Sequence, residues 1–306
     1  MAEKRKIMKS GIQQFILLCM LLVVAPGIYG QEKADSLILQ GIRFHDAHKY
    51  RKAIEAYKQA LEIEPDSPTA LYELSLSLLE TKDYPSVIQY SDRLIALNNE
   101  HSPLAYNLKG SSLNYLKRTE EAIEVYIEGI NKYDNIALLH FNLAIAYFTQ
   151  KDFEKARDTF VEAIFLDPQY AGSHLNLART MVNLDRWPEA LLCFYYFLLL
   201  ENDTQRGIIA YESILEQLDI TTANMDLFRL KTEEFLEKAR GLKELKIMSG
   251  FWSDFYIPFF ETAYEKGLLE DLCYYISLYF NKDANNWGKK NEARLDHFTS
   301  WLENWQ

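Results

Sequence analysis

The chain has 306 residues, and 48% of them are apolar, which is enough to bury a large core. Its formal net charge is −11, and the first thirty residues are net positive, so the rest of the chain is more acidic still. An acidic surface repels phosphate backbones, and this excludes nucleic acid from the expected partners.

The first thirty residues have the pattern of a secretory signal. Basic residues between Lys4 and Lys9 precede an apolar run from Phe15 to Ala25, and small or aliphatic residues follow up to Gly30. The run is too short to span a bilayer, and its flanks are those of a signal peptide. We expect residues 1–30 to be removed by cleavage near Gly30. The remainder would then be exported to the periplasm or cell envelope without a stable membrane span.

Two cysteines follow the expected cleavage site, Cys193 and Cys273. Each lies in an apolar stretch with helical spacing, which favours two buried thiols. A disulfide between them would suit an exported protein, but it requires a spatial contact that sequence does not establish. Both interpretations stay open at this point.

A spacing of 34 or 35 residues organises the chain up to about residue 203. A small or aliphatic residue opens the second helix of each predicted helix pair, and an aromatic residue follows it four places later in four of the five pairs. Self-similarity at a fixed period predicts a solenoid, in which each helix pair buries its apolar face against its neighbours. The five opening positions are Ala53, Val87, Ala122, Ala156 and Ala190.

These positions resemble the signature of the tetratricopeptide repeat family. The resemblance covers five units, at about residues 34–67, 68–102, 103–136, 137–170 and 171–203, and the second unit matches least. It implies an all-α fold, a right-handed superhelical α-solenoid of about five helix pairs. The residues that carry the signature are Gly41, Phe44, Ala53, Tyr57, Ala60, Pro65, Gly110, Ala122, Tyr126, Ala144, Tyr147, Ala156, Phe160, Ala163, Pro168, Ala178, Ala190 and Phe194.

Residues 204–306 lose the signature but keep helical spacing, and they are rich in aromatic residues. We predict degenerate helical hairpins that continue and cap the solenoid, because a terminal unit must cover the exposed core of its neighbour. The whole chain then resembles exported bacterial tetratricopeptide proteins that carry a helical C-terminal extension.

The resemblance also implies a binding surface. In this family the first helices of the pairs line a concave face along which peptide ligands lie. Asn142 and Asn176 stand at the matching place of adjacent units, 34 residues apart. An asparagine side chain offers one acceptor and two donors to a peptide backbone, and Arg179 could pair with a carboxylate. The predicted peptide-binding residues are Asn107, Asn114, Phe141, Asn142, Asn176, Arg179 and Asn183.

The sequence contains no nucleophile elbow, phosphate-binding glycine loop or zinc-ligand spacing. We therefore predict a non-enzymatic scaffold without cofactor or metal, whose partner is a protein or a peptide. The alternative is a glycan-binding envelope protein that uses C-terminal aromatics. It predicts that some of four tryptophans are exposed, namely Trp252, Trp287, Trp301 and Trp305. A hydrolase site within residues 204–306 is a third interpretation, and it requires a cluster of acidic or histidine side chains there.

Overall fold

The computed structural model describes residues 30–221, 224–244, 246 and 248–305. These residues are helical or lie in turns, and no strand occurs among them. The predicted signal segment before Gly30 lies outside the described residues. The chain divides into two compact units, the first ending at Asp134 and the second beginning at Asn135.

The first unit consists of three helix pairs. The helices are α1 (30–46), α2 (Tyr50–Ile63), α3 (Pro68–Glu80), α4 (Tyr84–Ala96), α5 (Ser102–Tyr115) and α6 (Thr119–Lys132). From α2 to α6 each helix packs against the next one along the chain, and α3 also packs against α5, so the first helices of the second and third pairs lie side by side.

The second unit begins with two more helix pairs and ends with the C-terminal helices. The all-helical solenoid with a helical cap, predicted from sequence, is confirmed. The helices are α7 (Ala137–Thr149), α8 (Phe153–Leu166), α9 (Ala171–Asn183), α10 (Trp187–Leu200), α11 (Gln205–Gln217), α12 (Met225–Glu244), a π-helix (Trp252–Tyr256), α13 (Ile257–Glu265), α14 (Leu269–Ser277), α15 (Lys282–Lys290) and α16 (Glu292–Glu303).

A glycine and a tyrosine pack closely inside the first and third helix pairs. A Cβ atom added at Gly41 would collide with the ring of Tyr57, and one added at Gly110 would collide with the ring of Tyr126. Both rings are fully buried. The glycine therefore provides the space that the tyrosine ring occupies. The fourth and fifth pairs hold alanine and phenylalanine at these two places (Ala144 and Phe160, Ala178 and Phe194).

Replacing Gly110 by alanine should lower the free energy of unfolding by about 2 kcal/mol, because the added methyl group overpacks against Tyr126. Urea denaturation followed by circular dichroism measures this. The control is Gly241→Ala in α12, where nothing beyond its two chain neighbours and the adjacent backbone of its own helix lies within 4 Å of the added Cβ. That change should be neutral or slightly stabilising, since alanine favours a helix interior. Equal effects of the two substitutions would contradict the packing argument.

The turn inside each helix pair passes through one non-glycine residue with a positive φ. The amide of the following residue donates to the carbonyl five residues earlier, at 2.8–3.0 Å, which caps the first helix of the pair. Asp219 continues this series beyond the fifth pair, with φ of 53° and the same hydrogen bond from Ile220 to Leu215. The backbone therefore repeats the turn once more than the residue signature does. In the five helix pairs before it, the turn residues with a positive φ are His48, Lys82, Lys117, Lys151 and Asp185.

Helix α10 is covered on all sides. Its residues from Glu189 to Leu199 are buried without interruption. It packs against its chain neighbours α9 and α11, and also against α14 and the π-helix. In a simple repeat array each unit contacts only its neighbours. The C-terminal cap therefore folds back onto α10 as well as following it along the chain.

Candidate functional site

In the second unit, the first helices of two adjacent pairs carry matching asparagines. Asn142 lies on α7 and Asn176 on α9, and these two helices pack against each other. Both side chains are half-buried. The helical repeat therefore places two amide groups at equivalent positions on neighbouring helices, as the spacing of 34 residues predicts.

Two of the predicted asparagines bond to their own helix. The Asn176 Nδ2 group donates to the Gly172 carbonyl at 2.8 Å, and the Asn183 Nδ2 group donates to the Arg179 carbonyl at 2.8 Å. Such bonds to a carbonyl four residues earlier are common for short polar side chains in helices. They hold each amide in one orientation, so the side-chain oxygen is the group offered to a ligand. That oxygen can accept a hydrogen bond from a peptide N–H.

Arg179 is a half-buried cation on α9. Burial lowers the pKa of its guanidinium, and the like charge of Arg206 on α11 lowers it further. Arg206 is itself bonded to Glu201, at 2.9 Å from its Nε. No carboxylate among the described residues forms an ion pair with Arg179. A partly desolvated charge without a counter-ion is unfavourable, and an arriving anion would relieve it.

An aromatic contact adjoins these polar groups. The ring of Phe141, next to Asn142 on α7, meets the ring of Tyr170 edge-on at 5.0 Å between centroids. Tyr170 precedes α9 and is 43% exposed. Tyr170 was not predicted from sequence, because the 34-residue spacing compares only positions inside the first helices of the pairs. Together the two rings provide an apolar surface beside the amides.

The remaining predicted residues, Asn107 and Asn114, lie on α5 in the first unit. Both are half-buried. The Asn114 Oδ1 atom is inaccessible to solvent and has no hydrogen-bond donor among the described residues. The predicted site residues therefore fall into two groups, two in the first unit and five in the second.

The C-terminal aromatics form a core. Trp252 is 5% exposed, and the other three tryptophans of the glycan alternative are half-buried against neighbouring rings. Trp287 stacks on Tyr274 at 4.2 Å, and Trp301 and Trp305 both contact Phe259. The structure therefore uses these rings for packing.

Two further features bear on chemistry. Cys193 and Cys273 are buried and unbonded, which agrees with the buried-thiol interpretation, and burial raises the pKa of Cys273 to about 12. Within the described ranges, no three histidine, cysteine or acidic side chains are arranged to hold a metal ion.

In the same part of the chain, no helix combines the length and apolar character of a membrane span.

Comparison with known families matches two parts of the chain. Residues 46–129 match the model of anaphase-promoting complex, cyclosome, subunit 3, and residues 137–170 match the tetratricopeptide repeat model. The second match coincides with the predicted unit at residues 137–170, which contains α7 and α8.

Relatives of known sequence match over part of their length. A TPR repeat-containing protein of Methanocaldococcus jannaschii is 29% identical over 111 residues, which is 36% of this chain and 19% of the relative. The BBSome complex member BBS4 of Xenopus tropicalis is 29% identical over 122 residues, 40% of this chain and 23% of the relative. The chain therefore spans about a fifth of the length of these two proteins.

Solved structures share the fold. Pseudomonas aeruginosa pilF superposes with a TM-score of 0.55 at 18% identity, covering 74% of this chain and 97% of that one. A thermophilic TPR protein of Thermus thermophilus superposes with a TM-score of 0.50 at 19% identity, covering 60% of this chain and 99% of that one. At this level of identity the likeness concerns the arrangement of helices alone.

Proposed function

We propose that this chain, a tetratricopeptide-repeat protein, is a non-enzymatic scaffold that binds an extended segment of a partner protein. Folds of this kind serve in general as protein-interaction scaffolds. The proposed surface in the second unit is formed by the first helices α7 and α9. The segment would be held there by its backbone and by one anionic group.

The observation that carries this proposal is the isolated charge of Arg179. Its guanidinium is half-buried and has no anionic partner among the described residues. A guanidinium can form two parallel hydrogen bonds to one carboxylate, and such charge-assisted bonds are stronger than neutral ones. The partner segment would therefore place an Asp or Glu side chain, or a C-terminal carboxylate, against Arg179.

The neighbouring groups suit the rest of such a segment. The Asn176 side-chain oxygen would accept a backbone N–H, since the Asn176 amide nitrogen is already bonded to Gly172. Asn142 stands at the equivalent place on α7 and would bind the backbone further along. The rings of Phe141 and Tyr170 would pack against an apolar side chain between these two polar contacts.

The proposal is tested with labelled extended peptides that contain either one glutamate or one glutamine at the same position. We expect the full chain to bind the glutamate peptide more tightly, and Arg179→Ala to weaken this binding by about tenfold or more, because a charge-assisted bond contributes about 1.5–3 kcal/mol. Fluorescence anisotropy measures the affinities. Arg179→Lys should recover only part of the affinity, since an ammonium cannot pair with a carboxylate in the same two-bond geometry.

The matched control is Arg240→Ala, which removes an exposed arginine of α12 outside the proposed surface. It should leave the affinity for the glutamate peptide unchanged. Equal affinities of the wild type, Arg179→Ala and the Asn142→Ala/Asn176→Ala double variant would sink the proposal.

We further propose that the scaffold works in the cell envelope. The support is the sequence pattern of residues 1–30 alone, with its basic start and short apolar run. Expression in a bacterium with the full N-terminus should yield a processed chain that begins at Gln31, as measured by intact mass. An unprocessed chain retained in the cytoplasm would contradict this location.

A further inference from the structure

The first unit carries a half-buried carboxylate where the second carries asparagines. Glu73 on α3 lies two residues before Ser75, as Asn142 and Asn176 lie two residues before Ala144 and Ala178. It therefore occupies the same register on the first helix of its pair. Its side chain is half-buried, and burial raises the pKa of its carboxyl.

Groups from several elements surround this carboxylate. His45 and Asp46 approach it from the end of α1, Tyr57 from α2 and His101 from the segment before α5. The His45 ring is held by a hydrogen bond between its Nδ1 and the Ser77 hydroxyl, at 2.8 Å. Three successive helix pairs thus contribute to one polar site.

An aromatic ring forms one side of this site. Tyr72, the neighbour of Glu73 on α3, stacks on His101 with 5.3 Å between centroids and an angle of 16° between the rings. Burial raises the pKa of the Tyr72 hydroxyl, and the Glu73 carboxyl raises it further. The two side chains therefore lie close enough to interact electrostatically. A cation beside Glu73 would therefore also lie close to the electron-rich ring of Tyr72.

Among the described residues, Glu73 lacks the lysine or arginine partner that other carboxylates of this unit have. Elsewhere in the first unit Asp92 pairs with Lys109 at 2.7 Å, and Asp66 with Arg93 at 3.8 Å. No lysine or arginine of the described chain pairs with Glu73, and the side chains that act on it are those of His45, Asp46, His101 and Tyr57. A half-buried carboxylate is unfavourable without a counter-charge, and binding a cation would remove that cost.

We propose that Glu73, His45, His101 and Tyr72, together the Glu73 site, bind a lysine or arginine side chain of the partner segment. The inference rests on the proposed function in one respect, that the first helices bind an extended segment. It adds that the first unit recognises a cationic group. The charge of that group pairs with Glu73, and the guanidinium or ammonium lies against the ring of Tyr72.

The charge of Glu73 makes this binding depend on pH. Burial raises the pKa of the Glu73 carboxyl, so this group loses its charge at a higher pH than an exposed glutamate does. His45, Asp46, His101 and Tyr57 face the carboxyl, and His101 also lies 3.8 Å from Glu100. A protonated carboxyl cannot pair with a lysine or arginine, so binding should be tighter at neutral than at acidic pH.

The test uses the full chain and two acetylated, amidated peptides that differ only in carrying lysine or norleucine at one position. Nuclear magnetic resonance follows the imidazole signals of His45 and His101 during titration. We expect the lysine peptide to shift these signals to saturation, with weaker binding at the lower pH, and the norleucine peptide to leave them unchanged. An arginine peptide should bind as the lysine peptide does.

Glu73→Gln should weaken binding of the lysine peptide by about tenfold or more, while keeping the shape of the side chain. The control, Glu80→Gln, removes an exposed carboxylate of the same helix and should change nothing. Equal affinity of Glu73→Gln and the wild type, or equal shifts with norleucine, would overturn the Glu73 site. If the glutamate peptide still binds through Arg179 in that case, the inference fails and the proposed function stands.

Discussion

Replacing Tyr256 by alanine should lower the free energy of unfolding of the second unit by about 4 kcal/mol, the usual cost of truncating a large buried aromatic residue. Tyr256 is fully buried in the π-helix, with its ring near Tyr196 at 5.5 Å and Phe255 at 5.0 Å. Its hydroxyl donates to the Nδ1 of His174 at 2.6 Å. Truncation therefore leaves a cavity and also a buried imidazole nitrogen without its hydrogen bond. Chemical denaturation monitored by far-ultraviolet circular dichroism measures the loss.

Two controls separate these effects. Tyr256→Phe keeps the ring and removes only the hydrogen bond to His174, and it should cost about 1–3 kcal/mol, because a buried acceptor is left unsatisfied. Tyr264→Ala removes a tyrosine of α13 that is 40% exposed, and it should cost less than 1 kcal/mol. A loss as small for Tyr256→Ala as for Tyr264→Ala would show that the π-helix does not anchor the cap.

Acidification should destabilise the second unit through His174. Burial lowers the pKa of this fully buried imidazole from 6.5 to about 4, although its hydrogen bond to the Pro168 carbonyl opposes the shift. The folded state therefore keeps His174 neutral, while the unfolded chain takes up a proton as the pH falls through 6.5. The stability that depends on a neutral His174 is fully present above pH 6.5 and is lost as the pH approaches 4. The total loss is about 3 kcal/mol, at about 1.4 kcal/mol per unit of pKa.

The measurement is urea denaturation at several pH values for the wild type and for His174→Gln, in which the amide can neither gain nor lose a proton. Carboxylates elsewhere titrate in both proteins, so the difference between the two pH profiles isolates His174. We expect the wild type to lose about 3 kcal/mol more than the variant over this range. Parallel profiles would mean that His174 is not a source of the acid sensitivity.

The repeats could be predicted from sequence because their determinants are local. The opening small residues, the aromatic four places later and the 34-residue period all lie within one helix pair or its neighbour. The glycine positions add to this, since Gly41 and Gly110 are explained by one ring each. Local patterns of this kind need no knowledge of distant parts of the chain.

The return of the cap to α10 could not be predicted in the same way. The hydrogen bond between His174 and Tyr256 joins residues 82 positions apart, and Asn202 bonds to the Tyr275 carbonyl across 73 positions. Helical spacing identifies which residues of the C-terminal part are apolar, but not which earlier helix they cover. The uninterrupted apolar run of α10 was the available signal, because a helix without a polar face is covered on all sides.

The sequence predicts where the candidate site residues lie on the helices, but it does not predict their hydrogen bonds or ion pairs. Register alone places Asn142, Asn176 and Arg179 on the first helices, and the structure finds them there. The bond of Asn176 to its own helix and the lack of a counter-ion at Arg179 depend on side-chain conformation and on α11. Glu73 shares the asparagine register, but its significance appears only once its burial and its neighbours are known.

The complete burial of α10 has a consequence for cooperativity. In an array where each pair contacts only its neighbours, terminal pairs can open while the others stay folded. In the second unit, α10 contacts helices on both sides of it in sequence, including α14 and the π-helix. The cap cannot be released without exposing α10, so α9 to α14 should behave as one folding unit. The amide hydrogens of α10 should then exchange with solvent only when this whole unit unfolds.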